Sequence, residues 1–230
     1  MPPPSRSPRC PPPSRPPPPS SAPSTTPSAP DQPPATRPAG RVAGWAAMDL
    51  TVILGPMKGG KSLEMISLLS PLQHTGIPHR IYQSARHGRD SAVMSRVGGS
   101  LDTLKVHTLA GAAEGGVEVI GVDEIHMFTV DDIAELGVAV RRGIKVVVAG
   151  IDLDHRGELF APVRALFELA PEKVIYRRAV CDVCRSLDAT HTQVLEHGKP
   201  FIRELAPSTP LPDDGTYTYE ARCRRCVVLP

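Results

Sequence analysis

"GPMKGGKS", residues 55–62, is the stretch on which the reading of this chain turns. It fits the spacing G-x-x-x-x-G-K-[ST], and the spacing has a physical cause. Gly55 and Gly60 admit backbone conformations that a side chain would block. The loop of Gly55, Pro56, Met57, Lys58, Gly59 and Gly60 can then turn its N–H groups inward at phosphate oxygens. A helix starting at its end adds the positive pole of its dipole. Lys61 reaches the outer phosphates of a nucleotide, and Ser62 offers a hydroxyl to Mg²⁺. The motif needs a strand before it and a helix after it.

Both flanks are present. "DLTVILG" (49–55) is a short apolar run ending in glycine, which suits a buried strand. After the loop, apolar residues at 63, 65, 66, 68, 69 and 72 follow helical spacing, and Pro71 marks where that helix kinks or ends. Further strands are expected at "HRIYQS" (79–84), "VEVIGVDE" (117–124) and "IKVVVAGID" (144–152). "VDDIAELGVAVRRG" (130–143) reads as a helix, with acid early, Arg141 and Arg142 late, and Gly143 as its stop. Short apolar strands alternating with helices predict an α/β fold, a parallel sheet with helices on both faces in the manner of phosphate-loop nucleoside triphosphatases.

The loop needs a carboxylate at the end of another strand, and "VIGVDE" supplies Asp123. Glu124 stands beside it. One acid can organise Mg²⁺ while its neighbour accepts a proton from a nucleophile. A substrate hydroxyl as nucleophile makes a kinase, and water makes an ATPase. Spacing alone does not choose between them.

Of the five cysteines, Cys10 lies near the N-terminus and four form two C-x-x-C pairs, "CDVC" (181–184) and "CRRC" (223–226), with 38 residues between them. Four thiolates so arranged can surround Zn²⁺ tetrahedrally and leave no position for water, so the metal is structural. A disulfide pair or a redox couple is the alternative. Arg185, Arg222, Arg224 and Arg225 offset the charge of such a site. A nucleic-acid knuckle is disfavoured, because aromatics make up only 4% of the chain and net charge is only +2.

The first 40 residues hold 17 of the 27 prolines and have almost nothing to bury. Residues 1–47 therefore read as a disordered tail, either inert or a proline-rich docking arm. The tail has no apolar core, so it is not a secretory signal, and its prolines oppose the amphipathic helix of a transit peptide. No stretch of 18 apolar residues occurs, so no membrane partner is expected. The expected organisation is a nucleotide-binding domain at 48–172 and a small metal-stapled module at 173–230.

Taken together these motifs resemble the thymidine kinase family of the zinc-containing, cytosolic type. "GPMKGGKS" is similar to the family's G-P-M-aromatic-small-G-K-S, and "GVDEIHMF" (121–128) to I-D-E-x-Q-F-F. "GIDLDHRGELF" (150–160) resembles G-L-D-x-D-F-R-G-x-P-F. "ATHTQVLEHGKPF" (189–201) and "YEARCRRC" (219–226) resemble A-T-R-T-Q-R-x-x-x-G-K-P and Y-E-P-R-C-R-x-C. The resemblance spans residues 50–226. It implies ATP-dependent phosphorylation of the 5′-hydroxyl of thymidine or deoxyuridine in nucleotide salvage, with Glu124 as the base. It places Arg89 and His126 with the loop, Lys61, Ser62 and Asp123 around ATP and Mg²⁺. It places Met127, Ile151, His155, Phe160, Thr192 and Tyr219 around the nucleoside. Segment 189–219 is then a lasso closing over the substrate, pinned at both ends by zinc. A homotetramer in the cytoplasm, inhibited by the end-product triphosphate, also follows from the resemblance.

The departures cluster. Lys58 stands for the loop aromatic, and Gly59 for its small neighbour. His126 stands for Gln, Met127 for an aromatic, His155 for the Phe that packs on the base, Val194 for Arg and Arg96 for His. Phosphate and metal positions match, while base-pocket positions drift. Exchanging Phe for His loses stacking area and adds a polar group. The chemistry is expected to be kept with a weakened or shifted nucleoside choice. A phosphate-loop ATPase, a paralogue without a nucleoside pocket, and a zinc-stabilised nucleotide-sensing module are the other readings.

Overall fold

The computed structural model describes residues 49–86, 92–94, 100–202 and 215–230. The proline-rich segment 1–47, Arg89 and Arg96 lie outside the described residues.

The main sheet is built from β1 (Leu50–Leu54), β2 (His79–Ser84), β5 (Leu104–Val106), β6 (Val119–Asp123), β7 (Lys145–Gly150) and β8 (Lys173–Tyr176). Ala92–Met94 and Ser100–Asp102, β3 and β4, form a separate antiparallel pair. The six strands run parallel in the order β5-β2-β6-β7-β1-β8. Four of them, β1, β2, β6 and β7, occupy the expected segments, and β1, β6 and β7 are almost wholly buried, as parallel strands covered on both faces must be.

Alternation sorts their side chains. Leu50, Val52, Leu54, Ile120, Val122, Val146 and Val148 enter one cluster, with Ile133, Leu136 and Val140 of α2 (Val130–Arg141) and Val163 and Leu166 of α3 (Ala161–Glu168). Ile53, Val119, Val147 and Ala149 enter another, with Met65, Ile66 and Leu69 of α1 (Lys61–Leu69). The connections demand this division. The chain passes from β1 through α1 to β2, one way along the sheet, and from β6 through α2 to β7 the other way. Right-handed crossovers in opposite directions lie on opposite faces. Between α1 and the sheet, Gly121 is a required gap. A Cβ there would come within 2.7 Å of Leu69 Cδ1 and 3.1 Å of Met65 Cε.

Helix α1 passes at Ser70 into a 3-10 turn, Ser70–His74, because Pro71 has no N–H for the helical ladder. Helix α2 opens on a capping box. Thr129 Oγ1 accepts from Asp132 N–H, and Asp132 accepts from Thr129 N–H at 2.9 Å. Asp132 is nearly sealed from solvent, yet its carboxyl is held below the usual range. Burial pushes it up, but the bonds from Thr108, Leu109 and Thr129 outweigh that.

The C-terminal part is a three-stranded antiparallel sheet, β10-β9-β11, of β9 (His191–Glu196), β10 (Lys199–Pro200) and β11 (Tyr217–Arg222). Its own small core joins Ala179, Cys181, Ala189, Ala221 and Cys223.

Candidate functional site

The loop 55–62 leaves the carboxy end of β1 and closes into α1. Gly55 has φ +140°, and a Cβ on it would collide with the Arg177 carbonyl oxygen. Lys58 at φ +63° and Gly60 at φ +79° also lie in the left-handed region. Arg177, just past β8, backs the loop. Its N–H donates to Leu54 O at 2.7 Å, its Nε to Gly59 O at 3.4 Å, and its guanidinium lies 3.5 Å from Glu64 Oε2. Lys61 is 9% exposed and donates to Pro56 O at 2.8 Å, inside the loop. Burial lowers its pKa, against the charges of Glu124, Asp123 and Asp152.

Asp123 ends β6, 3% exposed, with Oδ2 3.5 Å from Ser62 Oγ. Burial and the charge of Glu124 push its carboxyl up to about 7, against the Glu124 N–H, Lys61 and Ser62. A buried carboxylate held back from ionising suits a divalent cation, whose charge would relieve it. Glu124 takes a left-handed backbone, φ 53° and ψ 43°, at the strand end. A non-glycine residue holds that conformation only where its surroundings impose it, and such sites cluster where chemistry is done. A 3-10 turn, Ile125–Met127, follows. His126 Nδ1 accepts from Ile151 N–H at 3.3 Å and lies 3.5 Å from Glu124 Oε2, while its ring meets Phe160 at 5.1 Å. Glu124, His126, Met127, Ile151 and Phe160 thus share the carboxy edge of the sheet beside the loop.

His155 belongs to the tight turn 152–160, shaped by Asp154, which accepts from the N–H groups of Arg156 and Glu158. Its ring packs edge-on to Phe201 at 5.5 Å, and Phe201 packs on Tyr217 at 5.6 Å. His155 Nε2 is buried and has no hydrogen-bond partner among the described residues. Thr192, on β9, accepts from Met57 N–H at 3.0 Å, so it reaches the loop itself. Tyr219 lies on β11 opposite Val194. Arg89 is outside the described residues.

The cysteine sulfurs of 181, 184, 223 and 226 lie within 4.8 Å of one another, all unpaired as disulfides. Cys181 and Cys223 are buried. Burial pushes Cys181 up, but N–H groups of Cys184, Cys223 and Val183 bring it down to about 6. The Cys226 thiol is pushed up to about 12, first by its hydrogen bond with Cys223. A cluster that ionises one thiol and must protonate another has the donor set and the charge shortage that a tetrahedral zinc ion fills.

Several side chains here stand inside quoted motifs without having been singled out. Asp152, two residues past β7, is buried, and burial raises its pKa against the charges of Lys61 and His191. Phe201 packs on His155, and Tyr217 packs on Phe201. Asp182 receives Lys58 Nζ at 2.7 Å. "GKPF" could have flagged Phe201, whereas the other contacts are long-range.

A family model described as thymidine kinase matches residues 48–227. A thymidine kinase of Chloroflexus aurantiacus is 34% identical over 185 residues, covering 77% of this chain and 93% of that protein. One of Thermococcus kodakarensis is 31% identical over 191 residues, covering 79% and 94%. Among solved structures, the cytoplasmic domain of the Thermomonospora curvata Type VII secretion ATPase EccC aligns with 76% of this chain and 24% of its own. Its identity to this chain is 10% and the TM-score 0.38. Among the described residues, no helix is long and apolar enough to cross a membrane. With a family model spanning most of its length and relatives matched almost end to end, the chain belongs to the thymidine kinase family.

Proposed function

We propose that this kinase transfers the γ-phosphoryl group of ATP to the 5′-hydroxyl of thymidine or deoxyuridine, a salvage reaction. The observation that carries the reading is the pair Asp123 and Glu124 at the mouth of the loop. One acid is turned to Ser62, and the other is held in a left-handed backbone beside His126. Family membership supports a nucleoside as acceptor.

In this reading Gly55–Ser62 grips the triphosphate in a phosphate-loop nucleoside triphosphatase fold, with Arg89 and His126 beside it. Ser62 and Asp123 are the residues that would hold Mg²⁺, which neutralises charge on the β- and γ-phosphates. Glu124 accepts the proton of the 5′-hydroxyl as that oxygen bonds to the γ-phosphorus. The β–γ bridging oxygen leaves with its electrons on ADP, and Lys61 stabilises the charge it gains. Met127, Ile151, His155, Phe160, Thr192 and Tyr219 enclose the nucleoside. Segment 189–219 closes as a lasso, excluding water so that transfer outruns hydrolysis. Cys181, Cys184, Cys223 and Cys226 would hold a structural zinc ion that pins both lasso ends. A cytoplasmic homotetramer with no nucleic-acid or membrane partner completes the proposal, on resemblance.

A phosphate-loop ATPase is the second reading, favoured by one observation. Two residues that the resemblance sets around the nucleoside, Met127 and His155, differ from the family pattern. Product analysis separates the two. Incubation with Mg-ATP and thymidine, then deoxyuridine, should give the nucleoside 5′-monophosphate with an equal amount of ADP. Inorganic phosphate as the sole product would overturn the kinase reading.

A further inference from the structure

Lys58, in the middle of the loop, sends its side chain to the cysteine module. It stands where the family pattern carries an aromatic, in a left-handed backbone that costs a non-glycine residue free energy. Its ammonium reaches Asp182 Oδ2 at 2.7 Å. Asp182 lies inside the first C-x-x-C pair, next to Cys181. The same Oδ2 accepts from Ala221 N–H at 2.7 Å, and Asp182 N–H donates to Ala221 O at 2.8 Å. Ala221 is two residues before Cys223, whose N–H donates to Cys181 Sγ at 3.4 Å. One carboxylate therefore joins the loop to the roots of both cysteine pairs.

The neighbouring loop residue is anchored to the same place. Met57 N–H donates to Thr192 Oγ1, and Thr192 is the register partner of Ala221 across β9 and β11. Two successive loop residues thus rest on one rung of the small sheet, while Arg177 holds Gly59 from behind. Whatever fixes the cysteine pairs fixes that rung.

We propose that Lys58 is a positioning residue that couples the phosphate loop to the cysteine module through Asp182. A metal ion on the four cysteines and a nucleoside triphosphate on the loop then strengthen each other's binding. The proposal rests on the nucleotide reading above. Coupling between binding sites is reciprocal, so it can be read from either side.

The test uses the full zinc-loaded chain, with Lys58→Met, Asp182→Asn and the double variant. Asn keeps an acceptor for Ala221 N–H while removing the charge. Calorimetry gives the Mg-ATP Kd, and a chromogenic chelator follows the rate of zinc release. A partly exposed ion pair predicts a Kd weakened roughly twofold to fivefold in each single variant, with no further loss in the double. Saturating Mg-ATP should slow zinc release in the wild type and in none of the variants. Unchanged Kd in both single variants would overturn the proposal, as would losses that multiply in the double. A loss in Lys58→Met alone would mean that Lys58 contacts phosphate directly, which also overturns it. A wild type that binds no Mg-ATP would sink the nucleotide reading itself. If Asp182→Asn does not fold, Lys58→Met with the zinc-release measurement decides alone, since only coupling makes that rate respond to ATP.

Discussion

Asp123, Asp152 and Lys61 share the buried edge of the sheet, and burial sets the direction in which each titrates. Asp123, raised to about 7, keeps a proton that the unfolded chain releases near 4. The folded state binds more protons between those values, so this group makes stability fall as pH rises from about 4 to about 7. A divalent cation needs the ionised form, so binding Mg-ATP should expel the proton. Calorimetry in buffers of contrasting ionisation enthalpy should show about one proton released at pH 6 and almost none at pH 8.5. Asp123→Asn should release none at either pH. Equal release by that variant would remove Asp123 from the metal site. Glu124→Gln removes the proposed base and keeps the shape. It should lower kcat about a hundredfold or more while Mg-ATP affinity holds, since general-base catalysis contributes about 10²–10⁴-fold. At this scale the sequence was most legible. Lys61, Ser62, Asp123 and Glu124 sit in short contiguous motifs, and contiguity fixes their neighbours. Asp182 was not, because it gains its meaning from Lys58, far along the chain.

Elements were legible where periodicity had room to show. Strands β1, β6 and β7 are apolar runs of five or six residues, and α2 has a capping box and charges that match its dipole. Strands β5 and β8 have three and four residues and half-exposed patterns, so they carry almost no signal. Strand β8 joins the parallel sheet beside β1, past the point where helical periodicity ends. Helix α3 follows a turn and spans only eight residues. Two substitutions test what holds these elements. Gly121→Val would push α1 off the sheet and should cost about 1–3 kcal/mol, as overpacked cores do, read from urea unfolding. Asp132→Ala strips the cap of α2 and the bonds to Thr108 and Leu109, and should cost about 1–3 kcal/mol by the same measurement. A loss under about 0.5 kcal/mol in either case would contradict the packing described.

Across the whole molecule the loop and the cysteine module are held together by contacts that span most of the chain. Met57 to Thr192 is a separation of 135 residues, and Lys58 to Asp182 one of 124. No local pattern announces such pairs, so the sequence showed two sites but not their junction. Removing metal with a chelator should therefore expose the amides of β9 and β11 to hydrogen exchange while β1, β6 and β7 stay protected. Exchange spread evenly over both sheets would mean one cooperative unit with no separate metal-held part.

The central claim is that this edge moves phosphate to a nucleoside and not to water. The most direct measurement is ADP release from Mg-ATP with and without thymidine, deoxyuridine and deoxycytidine, with Glu124→Gln alongside. The account predicts ADP release that requires thymidine or deoxyuridine and collapses in the variant. ADP release indifferent to every nucleoside would contradict it, and would mark His155 and Met127 as the remains of a lost pocket.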